Sequence, residues 1–143
     1  MALRRVILAV LVAATVTVSP AAWAQDEIFD FTIDAARLAA DRHTVVVSGT
    51  YTCGPMDLNV VGGGGTVDLT VRQGRVIGFG FVPIEVCDGA VQTYQAEVTA
   101  FGQHRFKRGA ASASASGIVH GEQAGVPVDQ RTELTNQPIT ITR

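Results

Sequence analysis

Between Thr44 and Cys53 the chain reads TVVVSGTYTC, with Val45, Val47, Gly49, Tyr51 and Cys53 on one side of an extended backbone and Thr44, Val46, Ser48, Thr50 and Thr52 on the other. That period of two predicts a half-buried strand whose last inward group is the Cys53 sulfur. The alternation returns in TVDLTVR, with Val67, Leu69 and Val71 inward, and in VQTYQAEVTAF, with Tyr94, Ala96, Val98 and Ala100 inward. Gln73-Gly74 turns the first of these into RVIGFGFVPI, so the two are expected as a hairpin. On the second arm Ile77, Phe79 and Phe81 share one face, read as inward, while Gly78 and Gly80 leave open backbone on the other.

Weaker patterns complete the chain. In EIFDFTI, Phe29, Phe31 and Ile33 share a face, which predicts a first strand, and DAARLAAD is either one turn or a strand continuing to Leu38. Gly62 to Gly65 reads as a plain loop, because successive glycines hold a strand poorly; the lysine and helix of a phosphate-binding loop do not follow it. AASASASGIV alternates Ala111, Ala113 and Ala115 with Ser112, Ser114 and Ser116, HGEQAGVPVDQ reads as a polar connection, and Ile139 and Ile141 alternate with Thr140 and Thr142 at the end. About seven strands with turn signals between them and almost no helix predict an antiparallel β-sandwich.

The N-terminus changes the picture of compartment. Arg4 and Arg5, an apolar run from Val6 to about Val18, Pro20 and Ala22-Trp23-Ala24 have the form of a cleaved secretory signal peptide over residues 1–24. Removing 24 of 143 residues leaves 119, residues 25–143, the size of a single domain with one core. Nine Lys and Arg then face thirteen Asp and Glu, a net charge of −4, which counts against wholesale binding to nucleic acid or to anionic membranes. No later apolar segment would span a membrane, so a secreted or extracytoplasmic location is expected. In that compartment Cys53 and Cys87 predict a disulfide rather than a metal or catalytic site.

Candidate chemistry is sparse. His43, His104 and His120 fall in turns or strand ends without a zinc-like spacing, and Ser48 lies in a strand rather than on a nucleophile elbow. Asp68, Glu97 and Glu133 are read as outward, solubilising carboxylates rather than a glycosidase pair. No enzyme, no metal and no cofactor is expected. The one basic cluster, His104, Arg105, Lys107 and Arg108, surrounds Phe106; it is the candidate contact for an acidic partner or cell-envelope component, with Phe106 as a plug at the end of the core.

VSGTYTC, the VDLTVRQG hairpin, CDGAVQTYQAEV and FKRGAASASA, which cover most of Thr44 to Ala115, resemble an uncharacterised family of small secreted actinobacterial domains. The resemblance implies an immunoglobulin-like β-sandwich and carries over a disulfide role for Cys53 and Cys87; it supplies no catalytic residue. Tyr94 stands where many relatives have tryptophan, and the buried tryptophan of antibody domains is missing. The expected protein is therefore an exported, non-catalytic immunoglobulin-like antiparallel sandwich acting as a binding or structural module. The alternative is a small-ligand carrier or inhibitor protein with a cleft between the sheets, opened by Gly78 and Gly80 beside the disulfide.

Overall fold

The computed structural model describes residues 27–143, and the proposed signal peptide lies outside them. Nine strands follow one another: β1 (Glu27–Ile28), β2 (Asp30–Phe31), β3 (Ala35–Leu38), β4 (Thr44–Thr52), β5 (Gly64–Gln73), β6 (Val76–Ile84), β7 (Gln92–Ala100), β8 (Gly109–Gln123) and β9 (Val126–Thr142). The described residues contain no helix.

Pairing runs β9-β3-β4-β7-β6-β5-β8, and β8 then pairs with β9, so seven strands close into a barrel. The expected immunoglobulin-like sandwich is overturned by this closure. A sandwich keeps two sheets with free edges, whereas here β5 pairs with β8 from Gly64↔His120 to Arg72↔Ser112, joining what would have been separate sheets. The 17-residue β9 completes the ring: β8 runs along one side of it, and the N-terminal strands lie on the other. Its contacts with β1 (Ile28↔Arg131) and β3 (Ala36↔Ile141) are parallel, and all other pairings are antiparallel. Between those two contacts the Gln137 amide donates to the Ile33 carbonyl at 3.0 Å and bridges the seam. Closure pairs the strands that would have been the free edges of a sandwich.

The inward faces follow the period of two on three strands. Val45, Val47, Tyr51 and Cys53 on and just after β4, Val67, Leu69 and Val71 on β5, and Tyr94, Ala96, Val98 and Ala100 on β7 are all buried. Phe29, Phe31 and Ile33 join them from the first segment. DAARLAAD takes the extended alternative as β3.

On β6 the expected facing is reversed: Phe79 and Phe81 are 57% and 63% exposed, and Gly78, Val82 and Ile84 point inward. The reason is space. A side chain on Gly78 would stand 2.7 Å from the Phe106 ring, and one on Gly80 would strike the Glu97 carbonyl of β7. The glycines thus admit a plug and a neighbouring backbone rather than opening a ligand cleft.

Two further expectations change. Gly64 and Gly65 begin β5 instead of lying in a loop; a side chain on Gly65 would collide with the Ile118 carbonyl of the adjacent β8. The stretch 120–130, read as a polar connection, is a hairpin in which Ala124 (φ 50°) and Gly125 (φ 77°) make the turn between β8 and β9. Two consecutive positive φ values match the twist that hairpins prefer.

Candidate anion-binding pocket

The barrel has two chemically distinct ends. One end carries the disulfide, Cys53 bonded to Cys87 with their Cα atoms 4.8 Å apart, as expected. The other collects the start of β4, β6 and β8 and the finish of β3, β5, β7 and β9. Nine Lys and Arg follow residue 26 in the sequence, and only Arg131 lies toward the disulfide end. Arg37, Arg42, Arg72, Arg75, Arg105, Lys107, Arg108 and Arg143 belong to strand ends or turns of the opposite, basic end. Asp30, Asp57, Glu85, Asp88, Glu122 and Asp129 lie toward the disulfide end, and Asp34, Asp68, Glu97 and Glu133 on the wall between.

The basic end holds a pocket of about 540 Å³. Its lower wall is apolar, from Leu38, Ala39, Ala40 and the fully buried Phe106; its rim is Arg42, Lys107, Arg108 and Arg143. All four rim side chains are cationic at neutral pH. No carboxylate side chain lines the pocket. None of the four makes an ion pair among the described residues.

Local backbone geometry sets this rim. After β3 the chain turns sharply, with Ala39 N–H donating to the Thr44 carbonyl at 2.9 Å and Arg42 N–H to the Ala39 carbonyl at 3.1 Å. Arg42 sits at φ 57°, a left-handed conformation that costs a non-glycine residue about 1 kcal/mol. Asp41 offsets that cost by capping the turn: one oxygen accepts from the His43 and Thr44 N–H groups at 2.9 and 3.0 Å, and the other from the Thr44 hydroxyl at 3.1 Å. The Thr44 N–H bond, foremost, holds the Asp41 carboxyl below its ordinary pKa. The acid of this turn is thereby occupied by the turn's own N–H and hydroxyl groups.

The second wall is tied to the first. Phe106 N–H donates to the Arg42 carbonyl at 2.9 Å, so the residue that lends a guanidinium to the rim also anchors the plug. Gln73, at the end of β5, clamps the same segment: its carbonyl oxygen accepts from Lys107 N–H at 2.8 Å while its amide donates to the Lys107 carbonyl at 2.8 Å and the Ala110 carbonyl at 3.3 Å.

Of the expected contact residues, the structure brings Lys107 and Arg108 to the rim and leaves His104 and Arg105 exposed outside it. Phe106 is the plug that its neighbours implied. Arg42 and Arg143 were not singled out by the sequence; they lie far along the chain and reach the rim only through the β3–β4 turn and the β8–β9 pairing.

The other expectations land elsewhere. His120 pairs with Asp129 across β8 and β9 at 2.6 Å, and the His43 carbonyl accepts from Ala100 N–H at 2.8 Å. Among the described residues no three His, Cys, Asp or Glu are grouped to hold a metal. Asp68, Glu97 and Glu133 are exposed on the outer wall. Beside the disulfide lies an open groove of about 580 Å³ with Met56, Leu58 and Val86 among the carboxylates Asp57, Glu85 and Asp88; it is on the outside of the barrel rather than between sheets. No helix of the described residues is long and apolar enough to cross a membrane.

Comparison with protein-family models, with curated proteins and with solved structures finds no match.

Proposed function

We propose that the chain is an exported, non-catalytic binding module of the cell envelope or medium, and that its basic pocket takes an organic anion: a carboxylate, phosphate or sulfate on a partly apolar body. One observation carries this reading, the setting of Arg42, Lys107, Arg108 and Arg143 around an apolar wall that no acidic side chain lines. Four like charges gathered in one concavity repel each other, and an entering anion relieves that repulsion while its apolar part covers Leu38, Ala39 and Ala40. Export rests on the leader-like residues 1–24, and the disulfide is compatible with it. A small-ligand role is better served at this end, where charge and apolar surface coincide, than in the groove beside the disulfide.

The test is calorimetric titration with anilinonaphthalenesulfonate, a rigid apolar anion, at low salt. Saturable one-to-one binding is expected, weakened about tenfold by replacing Arg42 and Arg108 together with alanine and largely restored when both are lysine instead. Equal affinity in all three proteins removes the pocket as the site.

A further inference from the structure

The basic end carries a second feature that the pocket does not use. Phe101, at the finish of β7, is 73% exposed, and its N–H donates to the Ile77 carbonyl at 2.8 Å, which sets it across from β6. Next along β6 is Phe79, paired with Thr99 of β7 and 57% exposed. Half-buried Ile77, Phe79 and Phe101 therefore make one apolar strip down the outer wall to the basic end. The hairpin tip with Arg75 lies at its foot, and the segment with His104 and Arg105 follows Phe101 directly. Higher on the wall Phe81, 63% exposed, continues the strip but is paired with the exposed Asp68.

We propose that the protein docks end-on upon an anionic phospholipid surface, with the basic end toward the headgroups and Phe101 and Phe79 entering the interface. Charge complementarity selects this occupant. The net charge of −4 over residues 25–143 opposes adhesion of the whole surface, but eight cations sit at one end, where Asp41 is engaged by its own turn, and most of the acids lie on the wall and at the far end. Such a molecule is a dipole, and near a negative surface it turns its basic end inward. Aromatic side chains beside cations suit the headgroup boundary, where the ring is shielded and the charge stays wet. A soluble polyanion would satisfy the cations and leave the Phe79 and Phe101 rings in water, so the lipid surface accounts for both halves of the feature. Asp68, at the level of Phe81, sets the depth of contact.

The part of docking that falls to Arg75, Phe79, Phe101 and Arg105 is separable from the pocket because these four do not line it. The experiment is co-sedimentation of the disulfide-bonded protein with vesicles of equimolar phosphatidylglycerol and phosphatidylcholine, compared with phosphatidylcholine alone. Binding is expected to the anionic vesicles only, and to fall steeply as salt is raised. Replacing Arg75 and Arg105 with alanine should reduce partitioning about 25-fold, at about fivefold for each cation. Replacing Phe79 and Phe101 with alanine should reduce it about tenfold without affecting anilinonaphthalenesulfonate binding in the pocket. The proposal is overturned if anionic vesicles do not sediment the protein, if the phenylalanine variant binds them as well as the parent, or if heparin captures the chain while vesicles do not.

Discussion

Phe106 fills the space above Gly78: a methyl group built on that glycine would lie 2.7 Å from the ring of the fully buried phenylalanine. The pair joins core to pocket, since the ring that closes the barrel interior is also part of the pocket wall. Replacing Gly78 with alanine should force the ring outward and destabilise the fold by about 1–3 kcal/mol, the cost of overpacking. Replacing Phe106 with alanine should cost about 3–5 kcal/mol by leaving a cavity. The double variant, in which the new methyl occupies part of that cavity, should be less destabilised than the two single losses combined. Urea unfolding of the four proteins checks this, and additive losses would mean that the two residues do not share space.

The disulfide should carry a large part of the stability. Cys53 and Cys87 are 34 residues apart, and closing a loop of that size in the unfolded chain is worth about 4 kcal/mol. Against a typical total of about 5–15 kcal/mol, reduction removes much of the margin. Melting followed by circular dichroism with and without reductant should show a fall of about 10–25 °C. An unchanged melt would show that the barrel holds itself closed without the bond.

Tyr94 gives the stability a defined alkaline limit. Its hydroxyl donates to the Thr32 carbonyl at 2.7 Å, and its ring stacks on Phe31 with centroids 4.8 Å apart. Burial, with the Asp34 charge adding to it, pushes the phenol far above its ordinary pKa of 10.0; burial also raises Tyr51. The folded state thus keeps a proton that the unfolded chain releases above pH 10. Stability from this source is fully present below that pH and declines as pH rises beyond it. Ultraviolet titration should show native phenolate absorbance lagging that of the protein in denaturant. Tyr94→Phe should lose about 1 kcal/mol at neutral pH and destabilise less steeply above pH 10. A native titration that overlays the denatured one would contradict the burial.

What the sequence made legible was local. Val45, Val47 and Tyr51, or Val67, Leu69 and Val71, face inward because a strand with one wet side must alternate, and that period is written in the residues. The facing of β6 was not legible, because RVIGFGFVPI offers aromatic groups on one face and glycines on the other. Size favoured Phe79 and Phe81 as core, and only the approach of Phe106 and the Glu97 carbonyl made Gly78 and Gly80 the inward pair. Closure was hidden for a related reason. A sandwich and a barrel share the same alternation and differ in which backbones meet, and the glycines that let β5 and β8 meet, Gly65 and Gly117, do not name the strand they face. The pocket was half legible: Lys107 and Arg108 are contiguous, while Arg42 and Arg143 are brought to them by register. Net charge concealed the rest, since a sum cannot show that eight of the cations gather at one end.

Gln73 offers the sharpest test of how the pocket is held. It touches no part of the proposed ligand's space, yet its amide makes three hydrogen bonds to the backbone of the Lys107–Ala110 segment. Replacing it with alanine leaves Phe106 N–H bonded to the Arg42 carbonyl, so the plug stays, but it frees Lys107 and Arg108 to sample other positions. Ordering two long cationic side chains and their backbone would then fall on the binding step, at about 1 kcal/mol or more. Affinity for anilinonaphthalenesulfonate should drop about fivefold, with a more unfavourable binding entropy and a melting temperature within a few degrees of the parent. Glutamate at this position accepts the Lys107 N–H bond but cannot donate to the two carbonyls, so it should restore affinity only in part. If alanine and glutamine bind alike, the rim is held by the Arg42–Phe106 bond and the core alone, and the clamp contributes nothing to recognition.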